Sequence, residues 1–272
     1  MTTPFFPVQP ALAERLDGSP LIIMLDVDGT LAPITARPDE ATVPPETRRQ
    51  VAALAARDKV HVVLVSGRAA SVARRMVGVA NVWTIGNHGY EITGPDGEEL
   101  VDPQVAGYRP VMAQAARKLM AQVAHVPGVI FEDKTWTHSI HYRLAEPGVV
   151  PRLRAAVEET TRPLGLRITE GKLVLEVRPP LRVDKGTSVL TLAQRLEGFR
   201  DGASIIFIGD DRTDEDAFRA LRARAARAVT VRVTHGDESP TAAEFGAEDT
   251  AEVREILQWL LSPPGFRKKE SA

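Results

Sequence analysis

A chain of 272 residues, 43% hydrophobic and 26% charged, can bury a real core, so a disordered polymer is excluded. At about 150 residues per domain, its length fits one large domain or two linked ones. The net charge of -2 gives no global basic field, which argues against nucleic acid or an anionic membrane as the main partner and toward a small soluble ligand. The absence of cysteine excludes disulfides, thiolate metal sites and a cysteine nucleophile.

The first residues, MTTPFFPVQPALAERLDGSP, set prolines around their only apolar cluster and lack a basic region followed by a long apolar stretch. They make a poor signal peptide, and a cytoplasmic location is expected. The longest apolar runs are strand-sized, far short of the roughly 20 residues that span a bilayer, so no membrane partner is expected. Such runs recur at 21–25 (LIIML), 61–65 (HVVLV), 82–85 (VWTI), 204–208 (SIIFI) and 229–233 (VTVRV). Strands buried on both faces, as in parallel sheets covered by helices on each side, read this way. Amphipathic stretches lie between them: PPETRRQVAALAARD, AASVARRMVG, GTSVLTLAQRLEG and DEDAFRALRARAA. The alternation predicts an α/β fold with a doubly wound, Rossmann-like parallel-sheet core.

From about 105 to 182 the rhythm changes to helix, two strand-like pieces (VIFEDK, HSIHYR), a second helix, and two more strands (LRITE, KLVLEVRP). Turn signals separate these pieces. The spans 1–104 and 183–272 are therefore expected to form a discontinuous core, with 105–182 an inserted αββαββ cap. The terminal SPPGFRKKESA reads as a frayed tail.

Ligands of open α/β sheets bind beyond the carboxyl ends of the strands. There the first run delivers Asp26 and Asp28, the second Ser66 in SGR, the third Asn87 and His88 in GNHG, and the fourth Asp210, Asp211 and Asp214 in GDDRTDED. At least three carboxylates gathered at one sheet edge cannot all stay ionised without a cation. With only oxygen ligands on offer, Mg²⁺ is the natural guest. Lys185 and the Ser66 hydroxyl, with backbone N–H groups, are suited to phosphoryl oxygens. No Walker loop or GxGxxG occurs, which leaves phosphoryl transfer with a carboxylate nucleophile. Asp26, first off its strand, is the natural attacker, and Asp28 the acid and then base, with Gly29 supplying the sharp turn. Each piece alone has a plainer reading: DxDGT as an Asx turn, Thr213 as a helix N-cap, and His88 as a residue that pins its turn. His61 and His235 read as incidental, and Trp83 and Trp136 as packing residues.

In KLVLEVR, alternation puts Lys172, Val174, Glu176 and Arg178 on one strand face. The same alternation groups Glu132 with Lys134, and Ser139 with His141 and Arg143. One cap face is thus rich in paired charges: either a solvated face, or a lid that reads sugar hydroxyls and excludes water.

The ordered set DVDGTL, SGR, DKG and GDDRTDEDAF resembles the haloacid dehalogenase superfamily of aspartate-based phosphatases, over residues from about 20 to 260. GNHGYE, FEDK, HYR and GKLVLEVRP bring it closest to the trehalose-6-phosphate phosphatases. That resemblance implies Asp26 as nucleophile, Asp28 as acid/base, and Ser66 and Lys185 on the phosphate. It places the metal on Asp26, the Asp28 carbonyl and Asp210, with Asp211 and Asp214 in support. The candidate substrate contacts are then Gly67, Arg68, Asn87, His88, Glu132, Lys134, Arg143, Lys172, Glu176 and Arg178, gripping a small sugar phosphate. A monomer is expected. The rivals are a related phosphatase for sucrose phosphate or a glycosyl-phosphoglycerate, a phosphomutase, and a non-catalytic sugar-phosphate sensor.

Overall fold

The structure is a computed structural model that describes residues 3–5, 10–35, 40–171 and 173–261. Lys172 and the tail from 262 onward lie outside the described residues. The chain divides into two compact units, Met1–Leu100 with Val183–Ala272, and Val101–Arg182.

In chain order the first unit opens with β1 (Thr3–Pro4), α1 (Pro10–Leu16), β2 (Leu21–Asp26), α2 (Pro45–Ala55), β3 (Val60–Val65), α3 (Ala70–Val77), β4 (Trp83–Gly86), β5 (Glu91–Thr93) and β6 (Glu99–Leu100). The second unit holds α4 (Pro103–Gly107), α5 (Arg109–Val123), β7 (Ile130–Asp133), β8 (His138–His141), α6 (Val150–Thr161), β9 (Arg167–Gly171) and β10 (Val174–Arg178). The first unit resumes with α7 (Lys185–Arg195), β11 (Ser204–Gly209), α8 (Asp214–Arg224), β12 (Val229–Val233), β13 (Phe245–Ala247) and α9 (Thr250–Leu261).

Among the described residues, the first unit's sheet runs β1-β13-β12-β11-β2-β3-β4-β5-β6. Its neighbours are parallel from β1 to β4 and antiparallel from β4 to β6. The central strands β2 and β11 are largely apolar because both faces are covered. Leu21, Ile23 and Leu25 pack with Val51 and Leu54 of α2, Val77 of α3 and Ile256 of α9. Ile22 and Met24 pack the other way, with Val189 and Leu192 of α7 and Phe218 and Leu221 of α8. Polar side chains of β2 and β11 are confined to the strand ends, where they can reach water or a partner.

The chain enters the sheet centre at β2, steps outward through β3 and β4, and after the second unit crosses to β11 and β12 on the opposite side. The strand order therefore reverses between β2 and β11, which makes their carboxyl ends the binding crevice of the doubly wound fold. Leu25 is in register with Ile208, so Asp26 lies beside Gly209 and Asp210 is the next residue out.

Four antiparallel strands in the order β7-β8-β10-β9 form the second unit's sheet. Its apolar face, with Ile140, Leu175 and Val177, packs on Met112 and Leu119 of α5 and Leu153 and Val157 of α6. The opposite face carries one cross-strand row, Glu132, Ser139, Glu176 and Thr169. Arg143 does not continue this face as alternation predicts, because β8 ends at His141 and Arg143 falls in the exposed turn beyond it. Among the described residues, no helix is long and apolar enough to cross a membrane.

Candidate active site

Lys185 is the first residue of α7, and the helix starts there for a local reason. Asp184, extended at φ -150°, accepts from the Thr187 N–H while the Thr187 hydroxyl accepts from the Asp184 N–H, a complete capping box. Helical side chains lean toward the N-terminus, so this placement sends Lys185 back toward the strand ends. Its ammonium, 1% exposed, donates to Asp26 Oδ1 at 2.7 Å and to Asp214 Oδ1 at 2.8 Å. Asp26 itself is 4% exposed at the last position of β2.

The segment after β11 folds around its own carboxylates. Asp214 Oδ2 accepts from the N–H groups of Asp210 and Asp211. Asp211 Oδ1 accepts from the N–H groups of Thr213 and Asp214 and from the Thr213 hydroxyl. Thr213 is thus the N-cap of α8 by position, but its side chain makes no cap; the capping carboxylate is Asp211. Gly209 makes room for this turn, since a Cβ there would lie 2.4 Å from the Asp214 Cγ.

Carboxylate oxygens of Asp26, Asp210 and Asp214 lie within 4.8 Å of one another. Burial pushes Asp26 and Asp214 well above the usual carboxylate range, against the pull of Lys185. Burial, then Asp214 and Asp211, pushes Asp210 up to about 8. Burial works against the Lys185 charge too, yet Asp211, Asp214 and Asp26 together hold its ammonium well above the ordinary lysine value. One ammonium cannot neutralise this many acids, and full ionisation calls for a second cation. Asp210 Oδ1 is buried without a hydrogen-bond partner, whereas both Asp214 oxygens are engaged. An all-oxygen donor set with an orphaned oxygen fits a hard divalent cation. Asp26 and Asp210 are the ligands it leaves available, while Asp211 and Asp214 fix the turn and Lys185.

Asp28 stands apart from that cluster. Its half-exposed carboxylate, 41% accessible, takes both arms of Arg68, from Nε at 2.7 Å and Nη2 at 2.6 Å. The fork is bidentate and specific. Ser66, buried one residue past β3, accepts the Arg68 N–H on its hydroxyl and the His88 N–H on its carbonyl. Gly67 leaves space for the His88 ring, which a Cβ would meet at 2.4 Å. The His88 backbone is left-handed at φ 56°. Asn87 is fully buried and donates its amide to Glu91 Oε1 at 2.7 Å, where the Ala70 N–H also binds, so it braces the loop from within.

In the second unit, four of the predicted sugar-binding residues, Glu132, Lys134, Glu176 and Arg178, are linked by charge pairs. Lys134 Nζ sits 3.8 Å from Glu132 and 3.9 Å from Glu176, and Arg178 pairs with Glu176. His141 Nε2 lies 3.1 Å from Glu132. Trp136 is buried under the Arg109 guanidinium, a packing role.

One contact escaped the sequence reading. His235 is not incidental: it places Nε2 2.7 Å from the carbonyl of Gly29, 206 residues away in the chain. A lone histidine in a polar loop carries no local signal for such a contact.

The trehalose-phosphatase family model matches residues 24–251. The chain is 37% identical over 251 residues to a trehalose-phosphate phosphatase of Mycobacterium avium, covering 91% of this chain and 64% of that protein. It is 35% identical over 250 residues to one of Mycobacterium tuberculosis H37Rv, covering 92% of this chain and 63% of that one. It therefore spans somewhat less than two thirds of the length of these curated relatives. A solved structure described as a trehalose-6-phosphate phosphatase related protein superposes with a TM-score of 0.76 at 27% identity, covering 88% of this chain and 96% of its own. The motifs, the fold and these matches agree: the chain belongs to the trehalose-phosphatase family.

Proposed function

We propose that the chain is a Mg²⁺-dependent phosphatase that hydrolyses trehalose 6-phosphate to trehalose and phosphate through an aspartyl phosphate. The observation that carries this reading is the Lys185 ammonium 2.7 Å from a buried Asp26 whose carboxylate neighbours those of Asp210 and Asp214 within 4.8 Å. Lys185 orients Asp26 and favours its anionic form, which a nucleophile needs and burial resists, and a bound cation would add to that pull. An Asp26 oxygen attacks phosphorus as the bond from phosphorus to the sugar oxygen breaks, and Asp28 gives that departing oxygen a proton. Water then attacks phosphorus, Asp28 takes its proton, and the bond from phosphorus to Asp26 breaks to release phosphate. Asp28 has to leave the Arg68 fork to do this. Mg²⁺, held by Asp26, the Asp28 carbonyl and Asp210, would neutralise charge on the phosphoryl oxygens. Ser66 and Lys185 contact those oxygens too, and Glu132, Lys134 and Glu176, with Arg178 beside them, hold the sugar.

The test is phosphate release from trehalose 6-phosphate, sucrose 6-phosphate and glucose 6-phosphate, with and without chelator, by the wild type and by Asp26→Asn. Trehalose 6-phosphate is expected to be the best substrate, chelator to stop turnover, and Asp26→Asn to abolish it with the fold intact. Chelator-resistant turnover, appreciable activity in Asp26→Asn, or preference for another sugar phosphate would each overturn the corresponding part.

A further inference from the structure

Gly29 is the tightest point of the strand-end loop after β2. Its φ is +83°, and a Cβ on it would lie 2.1 Å from Asp210 Oδ2, so the Gly29 backbone is the wall against which the Asp210 carboxylate rests. Within the loop, the Gly29 N–H donates to Ala32, and the N–H groups of Leu31 and Ala32 both donate to Val27. The Gly29 carbonyl points the other way, and His235 receives it at 2.7 Å. A carbonyl only accepts, so His235 Nε2 carries the proton and donates.

The loop that presents His235 follows β12 and is braced independently. Arg232 donates to Asp237 Oδ2 at 2.6 Å and to the Ser239 carbonyl at 2.7 Å, and Asp237 Oδ1 takes the Ser239 N–H and hydroxyl. The His235 N–H donates to Glu248 and the Thr234 N–H to Ala247 at the end of β13. His235 thus stands on a fixed platform tied to the far side of the sheet, and its ring reaches the loop that bears Asp28 and abuts Asp210.

We infer that His235 is a positioning residue for the divalent-cation site, acting through its hydrogen bond to the Gly29 carbonyl. The bond holds the Gly29 peptide at the distance from Asp210 that keeps the orphaned Asp210 oxygen and the Asp28 carbonyl directed at one ion. Groups that orient metal ligands from behind typically change metal affinity by about 10- to 100-fold when removed. His235 is exposed, so its loss should leave the fold intact.

The inference rests on the magnesium reading, and calorimetric titration of the metal-free protein with Mg²⁺ separates the two. His235→Ala is expected to weaken Mg²⁺ binding about tenfold, and to raise the Mg²⁺ concentration for half-maximal phosphate release by the same factor. His235→Gln, which keeps an N–H donor on a side chain of similar reach, is expected to recover most of that loss. A wild type that binds no Mg²⁺ would overturn the magnesium reading and this inference with it. A wild type that binds Mg²⁺, beside a His235→Ala of equal affinity or a His235→Gln as weak as His235→Ala, would overturn the His235 assignment alone.

Discussion

Two glycines with left-handed backbones show what the site asks of single residues. Gly29 at φ +83° and Gly97 at φ +89° would each strain an alanine, but a Cβ on Gly97 meets nothing within 4 Å, whereas on Gly29 it meets the Asp210 carboxylate. Backbone strain of this kind costs about 1–2 kcal/mol at either position. Only at Gly29 must Asp210 also move. Gly29→Ala should therefore lose more stability than Gly97→Ala in a denaturant titration, since the clash adds to the shared backbone strain. Gly29→Ala should additionally lose Mg²⁺ binding and phosphate release, and Gly97→Ala should keep both. Equal Mg²⁺ affinity in the two variants would mean that Asp210 is not held by this close approach.

At the scale of elements, the second unit's sheet separates two jobs by face. Ile140, Leu175 and Val177 pack on α5 and α6, while Glu132, Ser139, Glu176 and Thr169 line the opposite side. Lys134 lies between two glutamates at 3.8 and 3.9 Å, and its removal would leave neighbouring like charges without that ammonium. Lys134→Met is expected to lower the ratio of kcat/KM for trehalose 6-phosphate to that for p-nitrophenyl phosphate, which carries no sugar, by roughly tenfold or more. An unchanged ratio would remove this face from sugar recognition. The alternation that revealed the face is visible in KLVLEVR because a sheet with one covered side must repeat every two residues. The central strands were legible for the complementary reason: LIIML and the IIFI of SIIFI are covered on both sides and are apolar at every position. The short edge strands Thr3–Pro4 and Glu99–Leu100, and the short strand Phe245–Ala247 just inside one edge, carry too few residues to show any period, and they take their conformation from the sheet they join. Asp26, Lys185 and Asp210 stood out as charges at the ends of apolar strands or at a helix start. The Arg68 fork on Asp28 and the His235 bond to Gly29 depend on which loops meet, and nothing in either segment announces that.

For the molecule as a whole, the acidic cluster ties together parts of the first unit that the second unit separates in sequence: Lys185 reaches Asp26 across 159 positions. Cation binding should therefore stabilise the folded state as well as assist the chemistry. The sign of its pH dependence follows from Asp210, raised from 3.8 to about 8 by burial, Asp214 and Asp211. A carboxyl raised in the folded state contributes stability at low pH that is lost as the pH climbs through its folded value, so the metal-free protein is progressively destabilised toward pH 8. Mg²⁺ takes the ionised form and removes that penalty, but at pH 6 it must first displace the proton. The rise in Tm caused by a fixed excess of Mg²⁺ should accordingly be larger at pH 8 than at pH 6. At 100 times Kd the stabilisation is about 2.7 kcal/mol, or on the order of 5–10 °C for a unit of this size. Taking the difference with and without Mg²⁺ at each pH cancels the histidines, including buried His138, whose burial lowers its own value below the usual range. Asp210→Asn cannot ionise, so its Mg²⁺-induced shift should be smaller and should lose most of the difference between pH 6 and pH 8. A wild-type shift equal at both pH values would mean that Asp210 gives up no proton to the ion, and with that the electrostatic case for a cation between β2 and β11 would fail.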